Sequence, residues 1–127
     1  MVGDPFQGYK HPIVKNVRKV SAALTNEELE FEPVPPGRMW VVENIALEDE
    51  TYAFTSLRVY VRMGGINQYL LEDYSLLAGR LYWHDGPLYV PTRTILVARF
   101  VGTTASDVLQ AYINGFEVTQ AKDEPRE

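Results

Sequence analysis

Chemistry at a protein site needs particular side chains brought together, and the 127-residue chain offers few candidates. It has two histidines, His11 and His84, and no cysteine. A catalytic or structural metal centre takes three or four ligands, commonly with paired histidines. No H-x-H or H-x-x-x-H spacing occurs here. Lack of cysteine removes disulfides, thiolate metal sites and cysteine nucleophiles. Ser21, Ser56, Ser75 and Ser106 are present, but none stands in the G-x-S-x-G turn that presents a catalytic serine. Carboxylates are more numerous: Glu43, Glu48, Asp49, Glu50, Glu72, Asp73, Asp85 and Asp107. Two of them at the right separation could hydrolyse a glycosidic bond. A domain this small has little room for a substrate cleft, and Glu48–Asp49–Glu50 and Glu72–Asp73 read as solvated loop charges. No D-x-D-x-D-G calcium loop is present. "GTTASD" (102–107) has one Gly and no Lys, so it is a strand connection rather than a phosphate cradle. The expectation is no catalytic residue, no metal and no cofactor.

Aromatic side chains are the richer resource: two Trp, eight Tyr and five Phe. "GRLYWHDGPLYVP" (79–91) concentrates them around a turn. On a strand Trp83 points opposite to Tyr82 and His84. The expected arrangement puts Leu81 and Trp83 toward the core and Tyr82 and His84 outward. Tyr and Trp suit protein interfaces, where they combine contact area with a polar tip. The stretch therefore reads as a structural hairpin presenting an interaction edge. The expected partner contacts are Tyr82, His84 and Tyr89, together with Phe6, Tyr9 and His11 near the N-terminus.

The elements that must hold these residues are strands almost throughout. "ELEFEPV" alternates Leu29 and Phe31 against Glu28, Glu30 and Glu32. In "MWVVENIALE", Val41, Glu43, Ile45 and Leu47 oppose Trp40, Val42, Asn44 and Ala46. "SLRVYVRMGG" is the clearest strand, with Leu57, Val59 and Val61 inward and Arg58, Tyr60 and Arg62 outward. Gly64–Gly65 then makes a hairpin turn. "INQYLL" returns, "RLYWHDGPLYV" reads as two short strands around Asp85-Gly86-Pro87, "TILVARFVG" is buried on both faces, and "VLQAYINGFEV" closes the series. About eight strands with turn chemistry between them predict an all-β fold. The expected architecture is a single antiparallel β-sandwich, jelly-roll-like. Residues 1–12 read as an extended N-terminal arm, 13–119 as the sandwich domain, and 120–127 as a disordered acidic tail.

Net charge is −5, and the basic residues are scattered. That balance argues against nucleic acid and against an anionic membrane surface. No apolar stretch approaches the roughly 20 residues of a membrane helix. No basic segment followed by an apolar one opens the chain, so the expectation is synthesis in the cytoplasm and a soluble product.

The motifs Pro36–Trp40, Ala78–Trp83, Gly102–Asp107 and Ile113–Glu117 follow one another in an order that resembles small β-sandwich virion proteins of tailed bacteriophages. The likeness is to head decoration (cement) proteins in particular and covers roughly residues 30–118. It implies a non-enzymatic protein on the capsid surface of a virion. Such a protein, often a homotrimer, binds the major capsid protein and reinforces contacts between its subunits. The alternatives are a carbohydrate- or receptor-binding sandwich using Tyr60, Tyr82 or Tyr89, or a tail or baseplate component of the same virion. A small-molecule ligand is not expected; a glycan fits the second reading.

Overall fold

In the computed structural model the described residues are 10–22, 26–51, 54–76 and 82–119. The side chains of Thr55, Asp73, Tyr74, Ser75, Leu76, Trp83 and Asp85 lie outside the description. Eight strands follow in order: β1 (Lys10–Val20), β2 (Asn26–Glu30), β3 (Arg38–Asp49), β4 (Phe54–Met63), β5 (Ile66–Leu76), β6 (Tyr82–Val90), β7 (Ile95–Val101) and β8 (Val108–Thr119).

Their pairing is that of a hairpin ribbon rolled on itself. The chain doubles back at Gly64–Gly65, so β4 pairs with β5, β3 with β6, β2 with β7 and β1 with β8. Rolling the ribbon adds β8 beside β3 and β7 beside β4. Two four-stranded antiparallel sheets result, β1-β8-β3-β6 and β2-β7-β4-β5. This is the jelly-roll order. The alternating residues supply the core between them: Leu57, Val59 and Val61 from β4, Leu96, Ala98 and Phe100 from β7, and Leu109, Ala111 and Ile113 from β8. Leu29 and Phe31 face inward as their alternation requires. Leu96, Val97 and Ala98 are all fully buried, so β7 is covered on both faces.

Three readings of the sequence change. The first concerns β3, where Trp40 and Val42 share the core with Ile45 and Leu47 instead of opposing them. A bulge between Val42 and Asn44 leaves Glu43 as an extra residue and resets the alternation. Glycines on both neighbours accommodate it: a Cβ at Gly86 would stand 2.2 Å from the Val42 carbonyl oxygen, and one at Gly115 2.0 Å from that of Val41. The second is β6, a single strand running through Gly86 and Pro87, whose peptide bond is cis. The third is the start of the sheet. β1 begins at Lys10, so His11 and Pro12, expected in the arm, pair instead with Glu117 and Phe116 of β8. Residues 1–9 and 120–127, and with them the rest of the expected arm and the tail, lie outside the described residues.

Candidate functional site

A sandwich of open sheets has four edge strands, and unpaired edge amides and carbonyls invite other chains. Here the edges are β1 and β6 in one sheet and β2 and β5 in the other. Where β1 faces β2 the opening is sealed by charge. Ile13 and Val17 put one face of β1 toward the core, and Lys15 and Lys19 share that parity. Lys15 reaches Glu32 at 2.9 Å and Lys19 reaches Glu27 at 2.9 Å. Lys15 Nζ also lies 5.2 Å from the centroid of the buried Trp40 ring. Lysines turned inward on an edge strand oppose further strand addition, since an incoming strand would have to displace them.

The seam continues over the outer face of β2, β7 and β4. Arg62 holds Glu28 at 2.9 Å and Glu30 at 2.6 Å, and the Tyr60 hydroxyl donates to Glu28. Tyr60 is fully buried although it points away from the core, because Tyr69 packs edge-on against it with centroids 5.0 Å apart. Burial, reinforced by the Glu28 carboxylate, pushes the Tyr60 phenol up to about 12. Burial alone would raise the Glu28 carboxyl; hydrogen bonds from Tyr60 and Arg62 outweigh it and hold the carboxyl below its ordinary range. Glu27 is lowered as well, chiefly by the Lys19 hydrogen bond. Arg18, Lys19, Asn26, Glu27, Glu30 and Arg99 line a groove of about 710 Å³ along this seam. Its charges are largely neutralised among themselves.

The β4–β5 hairpin is built differently. Among the described residues seven large apolar side chains stand exposed, and four of them are Met63, Ile66, Tyr69 and Leu70. Ile66 is 69% exposed. Residues 63–71, "MGGINQYLL", carry no charge in a chain whose net charge is −5. A concentration of exposed apolar side chains marks a contact surface rather than scattered surface residues. A third, smaller feature lies on the outer face of the other sheet. Tyr89, 57% exposed, stands over a groove of about 360 Å³ lined also by Val41, Glu43, Gly86 and Pro87. A second groove, of about 210 Å³, adjoins it toward Lys10 and Phe116.

The residues expected to contact a partner are dispersed by the fold. Tyr89 and His84 are exposed on β6, and His11 is exposed on β1. Tyr82 is not outward: it packs against the core, its ring meeting Phe54 edge-on at 6.3 Å. Tyr60, considered for a glycan platform, is buried beneath Tyr69. Phe6, Tyr9 and Leu81, and the Trp83 side chain, lie outside the described residues. The hairpin patch was not anticipated, although its signal was present as an uncharged run flanking a Gly-Gly turn. Among the described residues no three of His, Cys, Asp and Glu are grouped to hold a metal ion. No helix among them is long and apolar enough to cross a membrane.

Fold and edges define an eight-stranded jelly-roll sandwich, and solved structures share that architecture. One is a chain of the Bacillus endospore appendages, described as a novel family of disulfide-linked pili. It matches with a TM-score of 0.50 at 16% identity, covering 89% of this chain and 92% of that one. A chain of infectious bursal disease virus, Gt strain, matches at a TM-score of 0.42 and 12% identity over 89% of this chain and 33% of its own length. At 16% identity the likeness to the endospore chain is one of fold alone. No protein-family model matches the sequence, and no curated protein matches it.

Proposed function

We propose that the chain is a non-enzymatic structural subunit of a virion, bound to the outer surface of the assembled capsid, where it reinforces contacts between major capsid subunits. The observation that carries this reading is the uncharged tip of the β4–β5 hairpin, residues 63–71, where Met63, Ile66, Tyr69 and Leu70 stand exposed. Such a surface fits another protein better than a small substrate. The motif order of decoration proteins supports the capsid location and an arrangement of three copies about a threefold axis. The fold-sharing endospore chain belongs to disulfide-linked pili. The present sequence has no cysteine, so no disulfide links it to a neighbour. Modest contacts repeated on one particle combine through effective concentration into near-permanent attachment. In this reading Phe6 and Tyr9 of the arm seat in a capsid neighbour.

Cosedimentation of the purified chain with undecorated capsids tests the proposal. The full chain is expected to saturate the particles at a fixed ratio, and a chain lacking residues 1–9 to lose that binding while keeping its β-sheet circular dichroism. Absence of saturable binding by the full chain would remove the capsid reading. A second reading, a glycan-binding module, is favoured by the exposed Tyr89 over its groove with Glu43. Saturable glycan binding lost in Tyr89→Ala would establish it in place of the first.

A further inference from the structure

We infer that β5 is a pairing edge for a second copy of this chain, the two β5 strands running antiparallel about a twofold axis at Gln68. The inference goes beyond the capsid reading and concerns the same margin: it assigns the β5 edge to a second copy of the chain and leaves capsid attachment to the N-terminal arm.

The argument starts from the four edges, three of which carry a block. β1 has Pro12, which lacks an amide hydrogen, and the inward Lys15 and Lys19 with their carboxylate partners. β2 is five residues long and three of them are Glu. β6 has Pro87 near its centre. β5 is eleven residues long, with neither Pro nor Lys. A bulge at Leu70, opposite the step from Val59 to Tyr60, ends the regular ladder, so the free run is Ile66–Tyr69 closed by the bulged Leu70. All five of those residues are exposed.

The occupant follows from the chemistry of that run, "INQYL". A twofold axis normal to a sheet brings opposite one another residues whose numbers sum to a constant even value, because opposed residues share a face. Centred on Gln68, Ile66 meets Leu70 of the other copy, Asn67 meets Tyr69, and Gln68 meets itself. Aliphatic faces aliphatic and amide faces phenol or amide, with no charge in the run. Moving the axis to Asn67 sets Ile66 against Gln68; moving it to Tyr69 carries the pairing into the bulge at Leu70. Only the Gln68 centre matches the exposed aliphatic residues with each other. Two molecules of net charge −5 repel, so a homotypic contact belongs where each presents no charge. The edge then continues β2-β7-β4-β5 across the axis into an eight-stranded sheet.

The lack of native cysteine makes the test clean. Directly opposed residues of an antiparallel pair have Cα atoms about 4.5–5.5 Å apart, within disulfide reach. Full-length Gln68→Cys, mildly oxidised, is expected to give a covalent dimer far faster than Val14→Cys, whose position on β1 is 84% exposed. Adding Ile66→Lys to Gln68→Cys is expected to remove that advantage, with circular dichroism reporting that each variant folds. Equal rates for Gln68→Cys and Val14→Cys would overturn the inference. So would an unchanged rate in the folded Ile66→Lys double variant.

Discussion

The two exposed margins of the β2-β7-β4-β5 sheet are constructed from opposite materials. At the β2 margin, Glu27, Glu28 and Glu30 are held by Lys19 and Arg62, and Glu32 just beyond β2 by Lys15. At the β5 margin, residues 63–71 carry no charge and leave Met63, Ile66, Tyr69 and Leu70 exposed. The first margin makes a further strand costly, since ion pairs would have to be broken and desolvated. The second leaves amides, carbonyls and apolar side chains open. The same sheet thus refuses contact on one side and offers it on the other, and four substitutions or titrations can break or sharpen that contrast.

The largest effect is expected in the opposite sheet, against which the β2-β7-β4-β5 sheet packs. Gly115→Ala places a Cβ 2.0 Å from the Val41 carbonyl oxygen at the β3 bulge. The backbone must shift, and a loss of about 3 kcal/mol is expected by denaturant titration, in line with overpacked cores. Retention of wild-type stability would mean the bulge is not held by this glycine. Next comes Tyr60→Phe, which removes the phenol that donates to Glu28 and leaves Arg62 as its partner. The expected cost is about 1 kcal/mol, confined to stability and without effect on self-association.

Titration probes the same seam. Glu27 and Glu28 have carboxyls lowered in the fold from an ordinary 4.5, so their contribution is present above that value. It is lost as pH falls through their lower folded values, and the melting temperature should drop from neutral pH to about pH 3. Tyr60 works in the other direction. Its phenol is raised from 10.0 to about 12, so its contribution is complete below 10 and is lost as pH rises toward 12. Tyr60→Phe should flatten the alkaline part of the profile. The smallest change in stability is expected for Lys15→Ala, within about 1 kcal/mol because Glu32 is mostly exposed. Its informative readout is association: the unguarded β1 edge should self-associate more readily, as seen by light scattering.

Much of the fold was legible because each strand carries its own alternation. Leu57, Val59 and Val61 against Arg58, Tyr60 and Arg62 need no knowledge of any other segment. β3 was misread after Val42 because its bulge depends on Gly86 and Gly115, which lie far away in sequence on β6 and β8. Alternation about Trp83, taken as a core residue, places Tyr82 outward, whereas Tyr82 packs against the core and meets Phe54 edge-on. His84, expected outward, is exposed on β6, as is Tyr89. The hairpin patch was passed over because "INQYLL" is a short, mixed run whose meaning comes from its being an edge. Edge position is a property of strand order, which no local stretch encodes.

The most direct test of a subunit that associates through its uncharged margin is sedimentation velocity of the wild type beside Ile66→Lys/Leu70→Lys over a wide concentration range. Wild-type protein should move to a multiple of the monomer mass as concentration rises. The charged variant should remain a monomer with an unchanged melting temperature. Association of the folded variant at wild-type concentrations, or a wild type that stays monomeric throughout, would contradict the account.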